Sequence, residues 1–321
     1  MSLVEVKGLV RRFGAFTAVK DISFSFDAGQ IYGFIGPNGA GKSTTMRILA
    51  TLDIPSQGDC TVAGLSTVDD ADRVRGMIGY MPDSYGAYPN MTVEDYLDFF
   101  ARAYRLKGPG RTRAVADVVE FCQLGQLRDK LITTLSKGMK QRLCLGRCLI
   151  HDPKLLILDE PSAGLDPRAR IEFRELLRLL AEQGKAIFIS SHILAELEEL
   201  CHGVAIIEQG QLVASGPIGE IKARAMANRD AVAEDVQQPS TIELRLAEPY
   251  ARLAELLAEQ PELSAVQVER LAASARFRGS NAAQAALVRR LIEAGVPLYH
   301  VTGRSENLED LFMHLTEGKV Q

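Results

Sequence analysis

The sequence contains no long apolar run, no excess of one charge and few cysteines. Its 321 residues carry a net charge of -4 with both signs interspersed, so no broad basic surface is expected to hold nucleic acid by counterion release. No stretch of about 18 consecutive apolar residues occurs, so no segment is expected to span a bilayer. The N-terminus, Met1 to Lys7, lacks the apolar region of a signal peptide. These absences predict a cytoplasmic protein.

The cysteines are odd in number and scattered along the chain. This distribution argues against a disulfide framework and favours a reducing compartment. Cys144 and Cys148 share one face of a predicted helix, but no nearby histidine or cysteine pair completes a metal site, which favours core packing. The five are Cys60, Cys122, Cys144, Cys148 and Cys201.

The length predicts about two domains. Residues 222–240 lose strong apolar periodicity and are typical of a linker. Beyond them the predicted order is strand 241–246, helix 250–258, strands 266–271 and 274–278 around an Ala-Ala turn, helix 282–294 and strand 298–302. This β-α-β-β-α-β order predicts a ferredoxin-like domain, and a last helix contains Leu308, Leu311, Phe312 and Leu315 at helical spacing. No catalytic constellation occurs here, so a regulatory or dimer-stabilising role is expected.

Residues 36–44 lie between an apolar strand pattern at 30–35 and a helix that begins near Met46. In that order, a G-x-x-x-x-G-K-S loop forms a cradle for phosphate groups, because backbone N–H groups converge on anionic oxygens at a helix N-terminus. Lys42 adds a charge for the β- and γ-phosphates, and the Ser43 hydroxyl can ligate Mg²⁺. The loop therefore predicts binding of a nucleoside triphosphate. Its residues are Gly36, Pro37, Asn38, Gly39, Ala40, Gly41, Lys42, Ser43 and Thr44.

A second apolar strand pattern, at residues 154–158, ends in Asp159 and Glu160. Ligands bind at the carboxyl ends of strands in parallel α/β sheets, so both acids are expected beside the phosphate loop. Asp159 can hold Mg²⁺ through water. Glu160 can orient and deprotonate an attacking water.

The segment 135–142, Leu-Ser-Lys-Gly-Met-Lys-Gln-Arg, precedes a helical pattern. Ser136 and Gly138 stand at the predicted helix N-terminus, where a hydroxyl and a bare backbone can meet an anion. On its own, the same pattern is also typical of a simple helix cap.

Residues 80–104 contain seven of the chain's twenty aromatic side chains. Thr92 and Asp95 predict a capping-box start, and the apolar residues from 93 to 100 fall at helical spacing, so most of this stripe is expected in a helix core. Tyr85 and Tyr88 could instead form a hydrophobic dock for a partner.

These motifs make the chain resemble the nucleotide-binding subunits of ATP-binding cassette (ABC) transporters. The matching segments are the phosphate loop 36–43, the signature 135–141, the acidic strand 155–160, the loop 162–166 and Ser190-Ser-His192. The resemblance implies an α/β P-loop NTPase cassette at 1–221, with a mixed sheet core, an antiparallel β subdomain and a helical signature subdomain. The linker 222–240 and the C-terminal ferredoxin-like domain 241–321 follow.

The resemblance also implies ATP and Mg²⁺ as ligands. It assigns Phe13 to adenine stacking, Thr44 to phosphate and His192 to the γ-phosphate. In the same way, it makes Glu160 the general base and lets Asp159 support the metal.

In this family the signature helix of one subunit faces the ATP held by another. Ser136 and Gly138 would therefore complete a partner's site, with Asp166 at the interface. One loop and one signature imply a homodimer of cassettes or a dimer with a paralogous cassette. The ending Leu308-Glu-Asp-Leu-Phe312 resembles subunits that serve ABC-2 type exporters, which implies separate integral membrane permease subunits and a peripheral location on the inner face of the cell membrane.

The sequence departs from the family pattern after Ile78-Gly-Tyr-Met-Pro82. The family usually has a glutamine there, which contacts the metal and links the site to the membrane subunit, whereas this chain has Asp83. A carboxylate can ligate Mg²⁺ but cannot donate a hydrogen bond, and it adds negative charge near phosphate. Asp83 is therefore a candidate metal ligand and catalytic-site residue.

Two other classes of function stay open. Soluble cassette ATPases that act on nucleic acid or ribosomes usually carry two cassettes or a long insertion between loop and signature, whereas Lys42 and Ser136 are only 94 residues apart. A catalytically weak binding or regulatory module is suggested by Asp83 and would be distinguished by turnover.

Overall fold

The computed structural model describes residues 2–83, 90–191, 194–222 and 239–304. The described chain forms two units, which divide between Ile221 and Lys222. Within these residues, no helix is both long enough and apolar enough to cross a membrane.

The first unit contains two sheets and the helices that flank them. Its strands are β1 (Val4–Phe13), β2 (Phe16–Phe26), β3 (Ile31–Ile35), β4 (Gln57–Val62), β5 (Leu65–Ser66), β6 (Ile78–Met81), β7 (Leu155–Leu158), β8 (Ala186–Ser190), β9 (Gly203–Glu208) and β10 (Gln211–Pro217). Its helices are α1 (Lys42–Leu49), α2 (Ala71–Arg75), α3 (Val93–Ala103), α4 (Gly108–Phe121), α5 (Lys137–Leu149), α6 (Pro167–Glu182) and α7 (Leu194–Leu200).

The central sheet has the strand order β10-β9-β3-β8-β7-β6. Five neighbouring strands of this sheet run parallel, namely β9, β3, β8, β7 and β6, and only β10 is antiparallel to its neighbour. Strands β3, β7 and β8 are buried along their whole length because they are almost entirely apolar. Their carboxyl ends lie at the same edge of the sheet, as the pairing of Leu158 with Ile189 and of Phe34 with Ser190 requires. The predicted mixed sheet is therefore confirmed, and its edge gathers the phosphate loop and the acid pair.

The antiparallel sheet has the order β2-β1-β4-β5. Strands β1 and β2 form a long hairpin in which Val4 lies opposite Phe26 and Phe13 lies opposite Phe16. Both aromatic residues at the tip thus stand next to the turn at Gly14, which adopts a left-handed φ of 59°.

A cluster of aromatic rings joins the two sheets. Neighbouring ring centroids lie 4.9 to 5.9 Å apart, a range in which each pair contributes about 0.5–1.5 kcal/mol beyond its burial. The cluster fixes the β1–β2 hairpin against β3 and β8, the strands that lead to the site. Its members are Phe24, Phe26, Tyr32, Phe34 and Phe188.

Helix α3 begins with the predicted capping box. The Asp95 backbone N–H donates to Thr92 Oγ1 at 3.1 Å, and the Thr92 N–H donates back to Asp95 Oδ2 at 3.2 Å. Tyr96 is buried as predicted, whereas Phe99 is 45% exposed. Tyr85 and Tyr88 lie outside the described residues.

The second unit follows the predicted β-α-β-β-α-β order. Its elements are β11 (Pro239–Leu246), α8 (Leu253–Ala258), β12 (Leu263–Val268), β13 (Ala272–Arg278), α9 (Asn281–Glu293) and β14 (Leu298–Arg304). The sheet order β12-β13-β11-β14, antiparallel throughout, is that of a ferredoxin-like fold.

Two local predictions in this unit differ from the structure. Strand β11 begins at Pro239, so residues 239 and 240 belong to the sheet and not to the linker. The predicted Ala-Ala turn is wrong, because Ala273 pairs with Val268 and is buried in the core between the sheet and its helices. The turn lies instead at residues 269–271, where the Glu269 N–H bonds to the Ala272 carbonyl.

Candidate active site

A pocket of about 360 Å³ opens at the carboxyl edge of the central sheet. It brings together predicted residues from four separate stretches of the sequence: the hairpin tip, the phosphate loop, the end of β6 and the end of β7. The lining residues are Phe13, Phe16, Ala18, Asn38, Gly39, Gly41, Lys42, Ser43, Thr44, Asp83, Asp159 and Glu160.

Glycine is required at two loop positions by close approach of the neighbouring backbone. A Cβ on Gly36 would lie 2.3 Å from the carbonyl oxygen of Ile207, and one on Gly41 would lie 2.6 Å from that of Ala18. Gly41 also has a left-handed φ of 104°, which side-chain-bearing residues rarely adopt. The loop can therefore wrap tightly around a small group at the start of α1 only with these glycines.

Lys42 is folded onto the loop that precedes it. Its ammonium group donates to the carbonyl oxygens of Gly36 at 2.6 Å and Pro37 at 3.1 Å. Burial lowers the pKa of Lys42, since it disfavours the charged form, while the carboxylates of Glu160 and Asp159 act in the opposite direction. The pocket thus contains a largely buried cation that an incoming anion would stabilise.

The two acidic residues after β7 share a hydrogen-bond partner, Ser190, to which no role was assigned from the sequence. Ser190 Oγ donates to Asp159 Oδ1 at 2.7 Å and accepts from the Glu160 N–H at 2.9 Å. Asp159 is buried, and Glu160 has a left-handed φ of 49°, a conformation that costs a non-glycine residue free energy. The signal for Ser190 was available, because it is a lone polar residue at the end of an otherwise apolar strand.

The hairpin tip contributes two half-exposed aromatic side chains. Phe13 is 47% exposed and Phe16 is 50% exposed, although both line the pocket. The Arg11 guanidinium lies 4.4 Å from the Phe13 ring centroid and also pairs with Asp53 at 2.7 Å. A planar base could stack on such a surface. Phe16 was not predicted, because its place beside Phe13 depends on the pairing of β1 with β2.

The acidic residues fit a magnesium ion that arrives with a nucleotide better than one held by protein alone. In the described part of the chain, no group of three histidine, cysteine or acidic side chains is close enough to hold a metal. Mg²⁺ usually retains waters and binds one or two carboxylates together with substrate phosphates. Ser43, Asp83 and Asp159 line the pocket and offer oxygen donors of that kind.

Three predicted residues that the structure describes lie outside both the phosphate loop and the pocket lining. Ser136 caps α5 by accepting a hydrogen bond from the Met139 N–H, and Asp166 caps α6 by accepting one from the Ala169 N–H. Ser136 and Asp166 are exposed and Gly138 is partly exposed, and the pocket lining, as far as the chain is described, includes none of them. His192 lies outside the described residues.

Comparisons with known proteins agree on one family. The family model described as "ABC transporter" matches residues 19–163. The Nod factor export ATP-binding protein I of Burkholderia orbicola is 33% identical over 319 residues, which cover 99% of this chain and 98% of that protein. The probable multidrug ABC transporter ATP-binding protein YbhF of Escherichia coli is 34% identical over 242 residues, and the match spans 75% of this chain but only 40% of that longer relative.

A solved structure described as an ATP binding subunit of an ABC transporter superposes with a TM-score of 0.64 at 31% identity. The match covers 70% of this chain and 93% of the solved one. The predicted fold class of the first unit is therefore confirmed.

Proposed function

Because this chain belongs to the ABC transporter family, we propose that it is the ATP-hydrolysing subunit of a membrane exporter of the ABC-2 type. The observation that carries the proposal is the pocket in which Lys42, Asp159 and Glu160 lie together at the end of the central sheet. The names of the relatives, a Nod factor export protein and a probable multidrug transporter protein, support export over action on nucleic acid or ribosomes.

In the proposed reaction, the loop amides and Lys42 bind the phosphates of ATP, and Phe13 stacks on the adenine. Mg²⁺, when bound through Ser43 and Asp159, would neutralise charge on the phosphates. Glu160 accepts the proton of the attacking water as the water oxygen bonds to the γ-phosphorus and the ADP oxygen leaves. Ser190 holds the Asp159 carboxylate and the Glu160 backbone in place during this step. His192 is proposed to contact the γ-phosphate.

A second copy of the cassette, or a paralogous one, is proposed to complete the site. Ser136 and Gly138 are solvent-accessible at the N-terminus of α5, where a hydroxyl and backbone amides can meet an anion. Since they are absent from the lining described for this chain's own pocket, we assign them to the partner's ATP. Asp166 would lie at the same interface.

The membrane subunits are proposed to dock on a groove of about 550 Å³ in the first unit. Leu52 and Tyr104 are exposed in it, at 51% and 38% of their surface. Arg147 donates to the Tyr80 carbonyl at 3.0 Å, and its guanidinium lies 5.4 Å from the Phe100 ring centroid. Tyr80 precedes Asp83 by three residues, so the groove adjoins the strand that leads to the nucleotide pocket. A location on the inner face of the cell membrane follows from this docking.

Turnover of the purified protein tests the enzymatic part of the proposal. Glu160→Gln should abolish MgATP hydrolysis while ATP binding is retained, because the amide keeps the shape but cannot accept the proton. Lys42→Ala should lose binding itself. Glu182→Gln, the same substitution on an exposed residue at the end of α6, is the matched control and should behave like wild type. Unchanged turnover in Glu160→Gln would remove Glu160 as the base.

Capture from the native cell tests the transport part. Tagged Glu160→Gln with ATP should retain a protein with several predicted membrane spans, and Lys42→Ala, treated identically, should retain much less of it. Recovery of ribosomal or nucleic-acid-processing proteins alone would favour the soluble class of cassette ATPase.

A further inference from the structure

Arg170, in the first turns of α6, contacts two segments, one that precedes it and one that follows it in the sequence. Its Nη2 donates to the Leu165 carbonyl at 3.1 Å, and its Nη1 lies 2.8 Å from Glu196 Oε1. Leu165 belongs to the loop 162–166, and Glu196 belongs to α7, which begins two residues after His192. One guanidinium group therefore joins the loop at the proposed dimer interface to the helix that follows the proposed γ-phosphate contact.

The segment around Arg170 is also packed against the start of the signature helix. A Cβ on Gly138 would lie 3.2 Å from the Cβ of Ala169 and 4.0 Å from Leu165 Cδ2. The start of α6 therefore lies close to the N-terminus of α5, and only a residue without a side chain fits between them without displacing Ala169. Arg170 thus contacts the loop 162–166 directly, and its neighbour Ala169 lies next to the start of the signature helix.

Burial makes this ion pair different from the other one between the same helices. The difference lies in the carboxylates, because the Glu196 side chain is 11% exposed and that of Glu199, which pairs with Arg174 at 2.6 Å, is 64% exposed. The two arginine side chains are both mostly buried, at 29% exposed for Arg170 and 17% exposed for Arg174. Loss of one partner of a buried pair leaves an uncompensated charge, but exposed pairs contribute little. We therefore expect the Arg170–Glu196 pair to constrain α7 more than the Arg174–Glu199 pair, because its carboxylate is withdrawn from solvent.

We propose that Arg170 is a positioning residue that couples the loop 162–166 to α7, so that a change at the cassette interface is transmitted to the segment that contains His192. The proposal rests on the proposed function, since it needs two ATP sites that face each other. Its chemical basis is the planar guanidinium, which bonds to Leu165 and pairs with Glu196 at the same time. A lysine ammonium at this position can keep the ion pair but loses the second, oriented contact.

Arg170→Lys and Arg174→Lys form a matched pair for the test. In Arg170→Lys we expect kcat for MgATP to fall about three- to tenfold, with KM changed less than about twofold and with a lower Hill coefficient. Amide hydrogen exchange in Leu194–Leu200 should be faster, because α7 is less constrained. Arg174→Lys should match wild type in all these measurements. Glu196→Gln, which removes the charge with little change of shape, should reproduce the Arg170→Lys effects.

Equal kcat, Hill coefficient and exchange rates in Arg170→Lys, Glu196→Gln and wild type would overturn the coupling while leaving the ATPase proposal intact. Equal losses in Arg170→Lys and Arg174→Lys would also overturn it, because they would indicate general loosening of α6 against α7. Absence of hydrolysis by wild type would overturn the proposed function and this inference together.

Discussion

Ser190 Oγ bonds to both acids of the proposed catalytic pair, as donor to Asp159 Oδ1 at 2.7 Å and as acceptor from the Glu160 N–H at 2.9 Å. The hydroxyl stands at the end of β8, one strand away from the end of β7. Because an O–H has one proton and two lone pairs, it can make both bonds at once. The pairing of β7 with β8 therefore fixes the position of the Glu160 backbone through this hydroxyl.

Ser190→Ala should lower turnover more than it lowers ATP binding. The change leaves the buried Asp159 carboxylate without this donor, which costs about 1–3 kcal/mol, and it releases the strained backbone of Glu160. We expect lower kcat, a nearly unchanged KM and a lower Tm in thermal unfolding. Ser190→Thr, which restores the hydroxyl on a β-branched residue suited to a strand, should recover most of the activity. A wild-type kcat in Ser190→Ala would show that the hydroxyl does not position the base.

Gly36→Ala should abolish nucleotide binding. The added methyl group would lie 2.3 Å from the Ile207 carbonyl oxygen, so the loop must shift away from β9. The backbone N–H groups of the loop would then no longer converge on one phosphate group. Gly110→Ala is the matched control, because that glycine lies in α4 with open space around it and no left-handed φ, and alanine there should stabilise the helix by about 0.5–1 kcal/mol. Fluorescent ATP-analogue titration checks both variants. Binding by Gly36→Ala at wild-type affinity would contradict the tight loop geometry.

Local sequence patterns predicted the elements that carry the site well, because their causes are local. Glycine spacing, the apolar run before Asp159 and the capping residues around Thr92 each act within a few positions of the chain. The contacts that depend on distant segments were not predictable in the same way. Ser190 bonds to residues 30 and 31 positions earlier, and Arg170 in α6 pairs with Glu196 in α7. The Ala-Ala turn failed for a related reason, since burial of Ala273 against Leu244 and its neighbours decided the strand.

The thiols should be nearly inert towards alkylation in the folded protein. Burial raises the pKa of Cys122 and Cys144 to about 12 and also raises the pKa values of Cys60, Cys148 and Cys201. Because the thiolate is the reactive form, little of it exists at pH 8. Iodoacetamide followed by mass spectrometry should label few sites in the native protein and all five after denaturation.

Cys201 is the cysteine at which the predicted low reactivity towards alkylation can be tested best. It is the one cysteine with partial solvent exposure, so any slow labelling of the native protein should be found there first, and Cys201→Ser should remove it. Rapid labelling of Cys144 or Cys148 at pH 8 would contradict their burial in α5.

Asp83→Gln should strengthen the interaction with MgATP. Asp83 adds a third carboxylate to a pocket that already contains Asp159 and Glu160, and negative charges repel phosphate oxygens. Removal of one charge at short range in solvent corresponds to about 1 kcal/mol, so we expect KM for MgATP to fall about fivefold at low ionic strength. The effect should shrink as salt is added, because screening weakens the repulsion.

The comparison of Asp83→Gln with Asp83→Asn separates the effect of the lost negative charge from the effect of side-chain length. Both variants remove the carboxylate, but only glutamine is the residue that the ABC transporter family usually has at this position. Equal gains in the two variants would assign the effect to charge. A gain in kcat confined to Asp83→Gln would mean that the amide must extend into the site to donate a hydrogen bond, which aspartate cannot do. A fall in ATP affinity in both variants would instead make Asp83 a productive ligand of the bound metal, because loss of a carboxylate oxygen then outweighs the relief of repulsion.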